Sequence, residues 1–299
     1  MQHSFSALGT TWWITVFDER PAAELREAVT GAEALIHRFE AKYSRFKADS
    51  LIGRLNEVGQ LTTDDPELRS LLAYGKQLYL KTNTHFNFLT GHVQEARGYD
   101  ASYRFTPASQ IPNPGNPITD LQIDDSIIWV TNSKVDLGGF GKGYVIDQVS
   151  AYLQEECQLH YFLINGGGDM RATSRQGEPI TIYLEHPTKA QHYLGQTTLY
   201  EQAFASSSPF KRVWQAEEGT YTHILTSGDA PPVASYLKAP QAAWADAVAT
   251  TALLATEAEL QGLCASEPGT TLARFDPATN RFWSQSDFHF EPAKATTTQ

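Results

Sequence analysis

The sequence predicts a fold that mixes helices and strands, and three observations predict it. Several short runs are rich in β-branched and aromatic residues, longer segments repeat apolar residues near the 3.6-residue period, and two glycine turns follow strand candidates. The 299 residues can bury a sizeable core, and length alone leaves one large or two intertwined domains open.

Thr11 to Phe17, with two tryptophans among β-branched residues, reads as a first strand. A helix follows, with Leu25, Val29, Leu35, Ile36 and Phe39 near the helical period and Pro21 near its start. The polar run Ser44 to Ser50 reads as a loop before Leu51 to Asn56. Asp64-Asp65-Pro66-Glu67 is a helix-start signature, and Leu68, Leu71, Leu72, Leu78 and Tyr79 then give an apolar face. Thr84 to Gly91 predicts a turn and a possible short strand. Between Arg97 and Asp120, Pro107, Pro112, Pro114 and Pro117 with glycines and polar residues exclude a regular element and predict an excursion from the fold.

Ile127 to Val130 is a strand candidate leading to Val135-Asp136-Leu137-Gly138-Gly139-Phe140-Gly141-Lys142-Gly143-Tyr144, where a glycine turn gives way to a helix carrying Val145, Val149, Tyr152 and Leu153. Tyr161 to Ile164 predicts a buried strand that runs into Asn165-Gly166-Gly167-Gly168-Asp169, a second glycine turn, and two such turns predict one cleft. Further strands are expected at 180–184, 194–200, 202–205 and 221–225. The alanine- and leucine-rich segment 243–260 predicts the last strong helix, with Asp246 and Thr250 one turn apart on one face. The polar, threonine-rich residues 291–299 predict a disordered tail.

The balance of 23 Lys and Arg against 34 Asp and Glu, a net charge of −11, argues against a general binder of nucleic acid or anionic membranes, so any phosphate site must be local. Cys157 and Cys264 form neither a disulfide framework nor a zinc spacing and read as small core residues. No apolar run approaches the roughly 18 residues of a membrane span, and Met1 to Phe5 lack a basic region followed by an apolar one. The expected compartment is the cytoplasm; an exported chain that had lost its signal peptide would read the same.

The stretch 135–147 suits a bound anion: glycines let backbone approach a ligand, helix-start N–H groups face outward, and Lys142 adds a point charge. It matches neither Gly-x-x-x-x-Gly-Lys-Ser/Thr nor Gly-x-Gly-x-x-Gly, and a tight turn with a solvated lysine is the plainer alternative. In the same way Asp246 and Thr250 read as a helix-face polar pair or as metal ligands, and Asn165 to Asp169 as a sharp turn shaping the cleft.

Ala-Leu-Gly-Thr-Thr-Trp at 7–12, Val-Asp-Leu-Gly-Gly-Phe-Gly-Lys-Gly-Tyr at 135–144, Asn-Gly-Gly-Gly-Asp at 165–169 and Ala-Asp-Ala-Val-Ala-Thr at 245–250, in this order, resemble the motifs of the ApbE family of flavin transferases, the FAD:protein FMN transferases. Ser44-Arg45-Phe46 with Ser50 and Asn56, Ser206-Ser207-Ser208-Pro209 and Thr222-His223-Ile224-Leu225 fill the intervals, so the likeness spans roughly residues 5 to 260. The resemblance implies an α+β fold of mixed β-sheets flanked by helices around a flavin-nucleotide cleft, as one domain over 1–290. It implies FAD as substrate, Mg²⁺, and transfer of FMN to a threonine hydroxyl of an acceptor protein with release of AMP; hydrolysis of FAD to FMN and AMP, or FAD binding without catalysis, are the alternatives. Carried over residue by residue, it implies FAD contacts at Leu8, Phe46, His85, Phe86, Asn87, Asp136, Lys142 and Leu225, Mg²⁺ ligands at the Gly139 carbonyl, Asp246 and Thr250, and His223 as the group that takes the acceptor proton. Two departures stand out: Asn87 where the family commonly has Asp, and Thr226-Ser227-Gly228 in place of the usual Asp-Pro after the histidine.

Overall fold

The chain opens on a hairpin, β1 (Gln2–Ala7) against β2 (Thr10–Val16), with Ala7 opposite Thr10. Only Leu8 and Gly9 remain to make the turn, at φ 51° and 70°. Two consecutive left-handed residues give the turn whose twist suits a hairpin; glycine takes that conformation freely and leucine does so under strain. The computed structural model describes all residues except 176, 211, 212, 217, 218, 223, 226–231, 286 and 294–299.

Next come α1 (Ala22–Tyr43), with Pro21 just outside its start, and α2 (Leu51–Val58), whose N-cap Ser50 accepts the Gly53 N–H at 2.8 Å. After β3 (Gln60–Thr62), α3 (Pro66–Lys81) starts at the signature read in the sequence, with Asp65 accepting the Leu68 N–H at 2.7 Å. The short α4 (Gly91–Ala96), β4 (Leu121–Ile123) and β5 (Ile127–Val130) lead to α5 (Gly141–Ala151), which continues into a π-helical turn over Tyr152–Glu156. The later strands are β6 (Tyr161–Gly166), β7 (Asp169–Ser174), β8 (Ile180–Glu185), β9 (Tyr193–Leu199), β10 (Ala203–Ser207), β11 (Val213–Ala216), β12 (Gly219–Thr222) and β13 (Ala234–Ala239). Helices α6 (Ala242–Thr251) and α7 (Glu257–Ser266) precede β14 (Thr271–Asp276), β15 (Arg281–Ser284) and β16 (Glu291–Pro292).

Eight strands form one antiparallel sheet in the order β1-β2-β6-β7-β10-β13-β14-β15, joined by two three-stranded sheets, β16-β9-β8 and β3-β5-β4, and the hairpin β11-β12. The main core lies between one face of the large sheet, represented by Trp12, Ile14, Phe162, Ile164 and Leu237, and the apolar sides of the helices, among them Ile36, Leu71, Val145 and Val248. A second core joins the other face, at Phe204, Tyr236 and Phe275, to Ile180, Ile182 and Leu184 of β8. Antiparallel sheets with the helices packed on one face of the largest make this an α+β fold, as expected, though every ladder among the described strands is antiparallel. No helix among the described residues is long and apolar enough to cross a membrane.

Several expectations need correction. The segment 243–260 is two helices: Thr256 accepts from Glu259 N–H, and the Glu259 carboxylate accepts back from Thr256, a capping box that restarts the chain as α7. Thr84 to Gly91 contains no strand, and β1 precedes the segment expected to be the first strand. The strand expected to reach Leu225 ends at Thr222, and Glu291–Pro292, expected in the tail, pair with β9. Cys157, expected in the core, is half-buried, while Cys264 is buried as expected; both are free.

Candidate functional site

The site forms where the tips of two hairpins meet the N-terminus of a helix. Strands β2 and β6 pair with Trp12 opposite Gly166, which sets the Leu8-Gly9 turn beside the Gly167-Gly168 turn of β6-β7. Gly167 has φ 72°, and a Cβ there would stand 2.4 Å from Thr10 Oγ1, so both the conformation and the close approach require glycine.

The central stretch is pinned at several points. Asn56 of α2 brackets the Val135 backbone, donating to its carbonyl at 2.8 Å and accepting its N–H at 2.7 Å. Asp136 accepts from Arg45 Nε at 2.8 Å and from its own turn at Gly138 N–H, also 2.8 Å, while its N–H donates to the Phe88 carbonyl at 2.7 Å. Gly139 presses on Phe86, whose ring would stand 2.9 Å from a Cβ at that position. α5 begins two residues later without a side-chain cap; its Gly143 N–H donates to Asp246 Oδ2 at 3.2 Å.

An aromatic wall occupies one end. Arg45, only 3% exposed, lies 4.1 Å over the Phe46 ring and donates to the Tyr99 carbonyl at 3.0 Å. Phe46 stacks on Tyr103 at 5.8 Å, and Tyr99 stacks on Trp214 at 6.1 Å. A cavity of about 280 Å³ opens there, lined by Gly9, Tyr99, Tyr103, Phe105, Val213 and Trp214.

The other end is ionic and buried. Lys142 Nζ lies 2.6 Å from Asp169 Oδ2 and 3.2 Å from Asp246 Oδ2, and both aspartates are about 5% exposed. Burial works against the Lys142 ammonium, but the two carboxylates outweigh it and raise its pKa. Burial, and then the charge of Asp246, push the Asp169 carboxyl well above the usual carboxylate range, with Lys142 pulling against them. Thr250 Oγ1, one turn beyond Asp246, reaches the Asp246 carbonyl at 3.4 Å and Ser207 Oγ at 3.1 Å.

Of the residues expected to act, Lys142, Asp246 and Thr250 come together, and Phe46 and Asp136 meet through Arg45. The solvated-lysine reading of Lys142 is therefore replaced by a buried ion pair. His85 turns to Glu259 of the α7 capping box, 3.1 Å away. Asn87 donates to the Gly115 carbonyl and accepts the Leu89 N–H, both at 2.8 Å, anchoring the 97–120 excursion; an aspartate there would have no N–H for Gly115. Leu8 donates its N–H to Glu40 at 2.9 Å, and Leu225 is half-buried. His223 and Thr226-Ser227-Gly228 lie outside the described residues.

Sequence reading missed Asp169, whose glycine-turn context looked purely conformational, and Tyr99, Tyr103 and Trp214, which share no periodicity. Arg45 also goes unassigned in the sequence, though an arginine beside an aromatic in a polar loop is a signal for stacking and bidentate contacts.

The ApbE family model matches residues 8–275 of this chain. An FAD:protein FMN transferase of Haemophilus influenzae is 24% identical over 274 residues, covering 83% of this chain and 78% of its own length. A Vibrio cholerae protein of the same name is 22% identical over 241 residues, covering 76% and 71%. Among solved structures, the ApbE protein of Thermotoga maritima aligns with a TM-score of 0.79 at 20% identity, over 96% of this chain and 97% of that one. Flavin transferase ApbE from Vibrio cholerae aligns at 0.75 and 19%, over 96% and 97%. The structural likenesses speak for the fold, and the family model, which takes in both hairpin tips, the central stretch and α6, assigns the chain: it belongs to the ApbE family.

Proposed function

We infer that this chain transfers FMN from FAD to a threonine hydroxyl of an acceptor protein, with Mg²⁺ held at Asp246. The observation that carries the reading is a pair of unlike groups: the aromatic wall of Phe46, Tyr99, Tyr103 and Trp214, and the ionic cluster in which half-buried Lys142 and Thr250 meet the buried Asp169 and Asp246. Gly9 lines the aromatic cavity, Thr10 touches the Gly167 turn, and Gly168 faces Ser206 beside Thr250's partner Ser207, so neighbouring residues of the two hairpin tips link one end to the other. A flavin ring suits the first end by stacking, and phosphates suit the second, where an ammonium and the first turn of α5 lie together. The relatives named FAD:protein FMN transferase agree with this reading.

The donor set also fits the cation. The Asp246 carboxylate and the Thr250 hydroxyl, one helical turn apart, are hard oxygen donors, the Gly139 carbonyl is the third donor that the family resemblance implies, and two buried carboxylates against one ammonium leave a negative charge to balance. Bound there, Mg²⁺ would draw charge from the phosphate oxygens. In the reaction the acceptor's threonine oxygen bonds to the FMN phosphorus, the bond to the bridging pyrophosphate oxygen breaks, and AMP leaves with that oxygen. Lys142 and the α5 N-terminus hold the phosphates in line, and His223 takes the threonine proton.

Incubation with FAD, Mg²⁺ and candidate acceptor proteins, followed by intact-mass measurement, tests this. The expected product is an acceptor heavier by FMN less one water, with one AMP per adduct. FMN and AMP without an adduct would make the chain a pyrophosphatase, and FAD left intact would make it a binding protein.

A further inference from the structure

Asp246 already holds a cation of the protein's own. Its Oδ2 accepts from Lys142 Nζ and from Gly143 N–H, both at 3.2 Å, while the same ammonium lies closer, 2.6 Å, to Asp169. Asp169 sits on β7, fixed by the glycine turn before it and by the Ser206 N–H. With both carboxylates about 5% exposed, each is largely withdrawn from solvent, and the one ammonium serves two charges. The shorter contact marks Asp169 as its better partner and the Asp246 contact as the half that gives way.

We propose that Lys142 is an internal competitor for the metal position, occupying Asp246 until a divalent cation arrives, and that Asp169 is the dock that keeps the displaced ammonium beside the site. The inference rests on the reading of Asp246 as a cation ligand and names what that ligand does before the cation binds. On binding, the Lys142–Asp246 contact breaks and the Lys142–Asp169 contact remains, so the ammonium stays beside the incoming phosphates. Asp169 is a positioning residue in this account, acting through Lys142, and neither of them ligates the metal.

The test separates competition from charge. At pH 8, where both carboxylates are ionised, the aspartate–lysine–aspartate trio carries a net charge of −1, and the double variant Lys142→Gln/Asp169→Asn carries the same −1 without the competitor. Mn²⁺ is titrated into the full-length protein without FAD, and free Mn²⁺ is read by electron paramagnetic resonance. Competition predicts that the double variant binds Mn²⁺ tighter than wild type, on the order of tenfold for one charge-assisted hydrogen bond removed. Equal affinity would mean that net charge alone governs binding, and weaker affinity that Asp169 is itself a ligand; either overturns the proposal. If buried amides prevent folding, Lys142→Met/Asp169→Leu keeps the charge balance and the volume, and the same comparison applies. Wild-type protein that binds no Mn²⁺, or an Asp246→Ala variant that binds as tightly as wild type, would instead remove the cation reading on which the inference stands.

Discussion

Gly143→Ala should destabilise the protein, although the same change in an open helix stabilises it. Gly143 is where α5 crosses α6: a Cβ there would stand 2.2 Å from the Ala242 carbonyl oxygen, 2.5 Å from its carbon and 2.7 Å from Ala243 Cα. These are backbone atoms and cannot rotate away. The helices would have to part by roughly 1 Å to reach van der Waals contact. That movement strains the Asp147 carboxylate, which accepts the Ala242 and Ala243 N–H groups at 2.9 Å each, and the Gly143 N–H bond to Asp246. Overpacking costs about 1–3 kcal/mol, here at its upper end, and the better helix propensity of alanine offsets about 1 kcal/mol, which leaves a loss of about 2 kcal/mol. Gly262 in α7 is the control, because a Cβ there meets nothing within 4 Å; Gly262→Ala should stabilise by about 0.5–1 kcal/mol. Urea denaturation of both variants beside wild type decides the matter. A Gly143→Ala protein as stable as Gly262→Ala would refute the claim that the two helices meet at backbone contact there.

Phe46→Ala should weaken FAD binding by about 0.5–1.5 kcal/mol in a fluorescence titration, since it removes one face of the aromatic wall; unchanged affinity would take Phe46 out of the site. Lys238 is 4% exposed with its ammonium 4.9 Å from the Phe288 ring, and burial lowers its pKa from 10.5 to about 8. Between those values the unfolded chain binds the proton that the native amine has lost, so stability should rise with pH from about 8 to 10.5. Lys238→Met should abolish that rise and stabilise the protein at pH 7 by as much as about 3 kcal/mol, and a Lys238→Met protein with the wild-type pH dependence would show that another group is responsible. The chain has no stretch resembling the Asp/Ser-Gly-Ala/Ser-Thr acceptor motif implied by the family resemblance, so denaturation should release all flavin; a covalent adduct on this chain in intact-mass spectra would contradict that.

Local chemistry made some elements readable in the sequence. Asp65 before Pro66 and the β-branched run of β2 act through neighbours in the chain, and both lie where expected. The break between α6 and α7 was missed because alanine and leucine favour helix throughout, though Thr256 and Glu259 carried the capping-box signal. Arg274 of β14 donates to the Ala255 carbonyl at 2.5 Å, a tertiary contact that holds the connection between the two helices. β1 was missed although it carries a period-2 signal, His3, Phe5 and Ala7 alternating with polar residues, and it pairs with β2 along its whole length. In the candidate site the i, i+4 placement of Asp246 and Thr250 was legible as helix geometry. The ion pairing of Asp169 was not, because Lys142 and Asp246 reach it only through packing of β7 against α5 and α6.

The spacing between the two ends of the site follows from how the central stretch is fixed. Val135 is bracketed by Asn56, Asp136 is tied to Arg45 and to the Phe88 carbonyl, and Gly143 is tied to Asp246 and pressed against Ala242. A segment held at both ends and in contact with Phe86 between them cannot slide, so its covalent length sets the distance from Arg45 to Lys142. The aromatic wall has looser origins: Tyr99, Tyr103 and Phe105 come from the 97–120 excursion, anchored through Asn87 and Gly115, and Trp214 from the β11-β12 hairpin. A ligand spanning both ends, as FAD is proposed to do, therefore meets a preorganised ionic end, where little ordering entropy remains to be lost. At the other end it meets a wall built from two separate excursions, whose contribution to affinity depends on how the rings pack against each other and against Arg45.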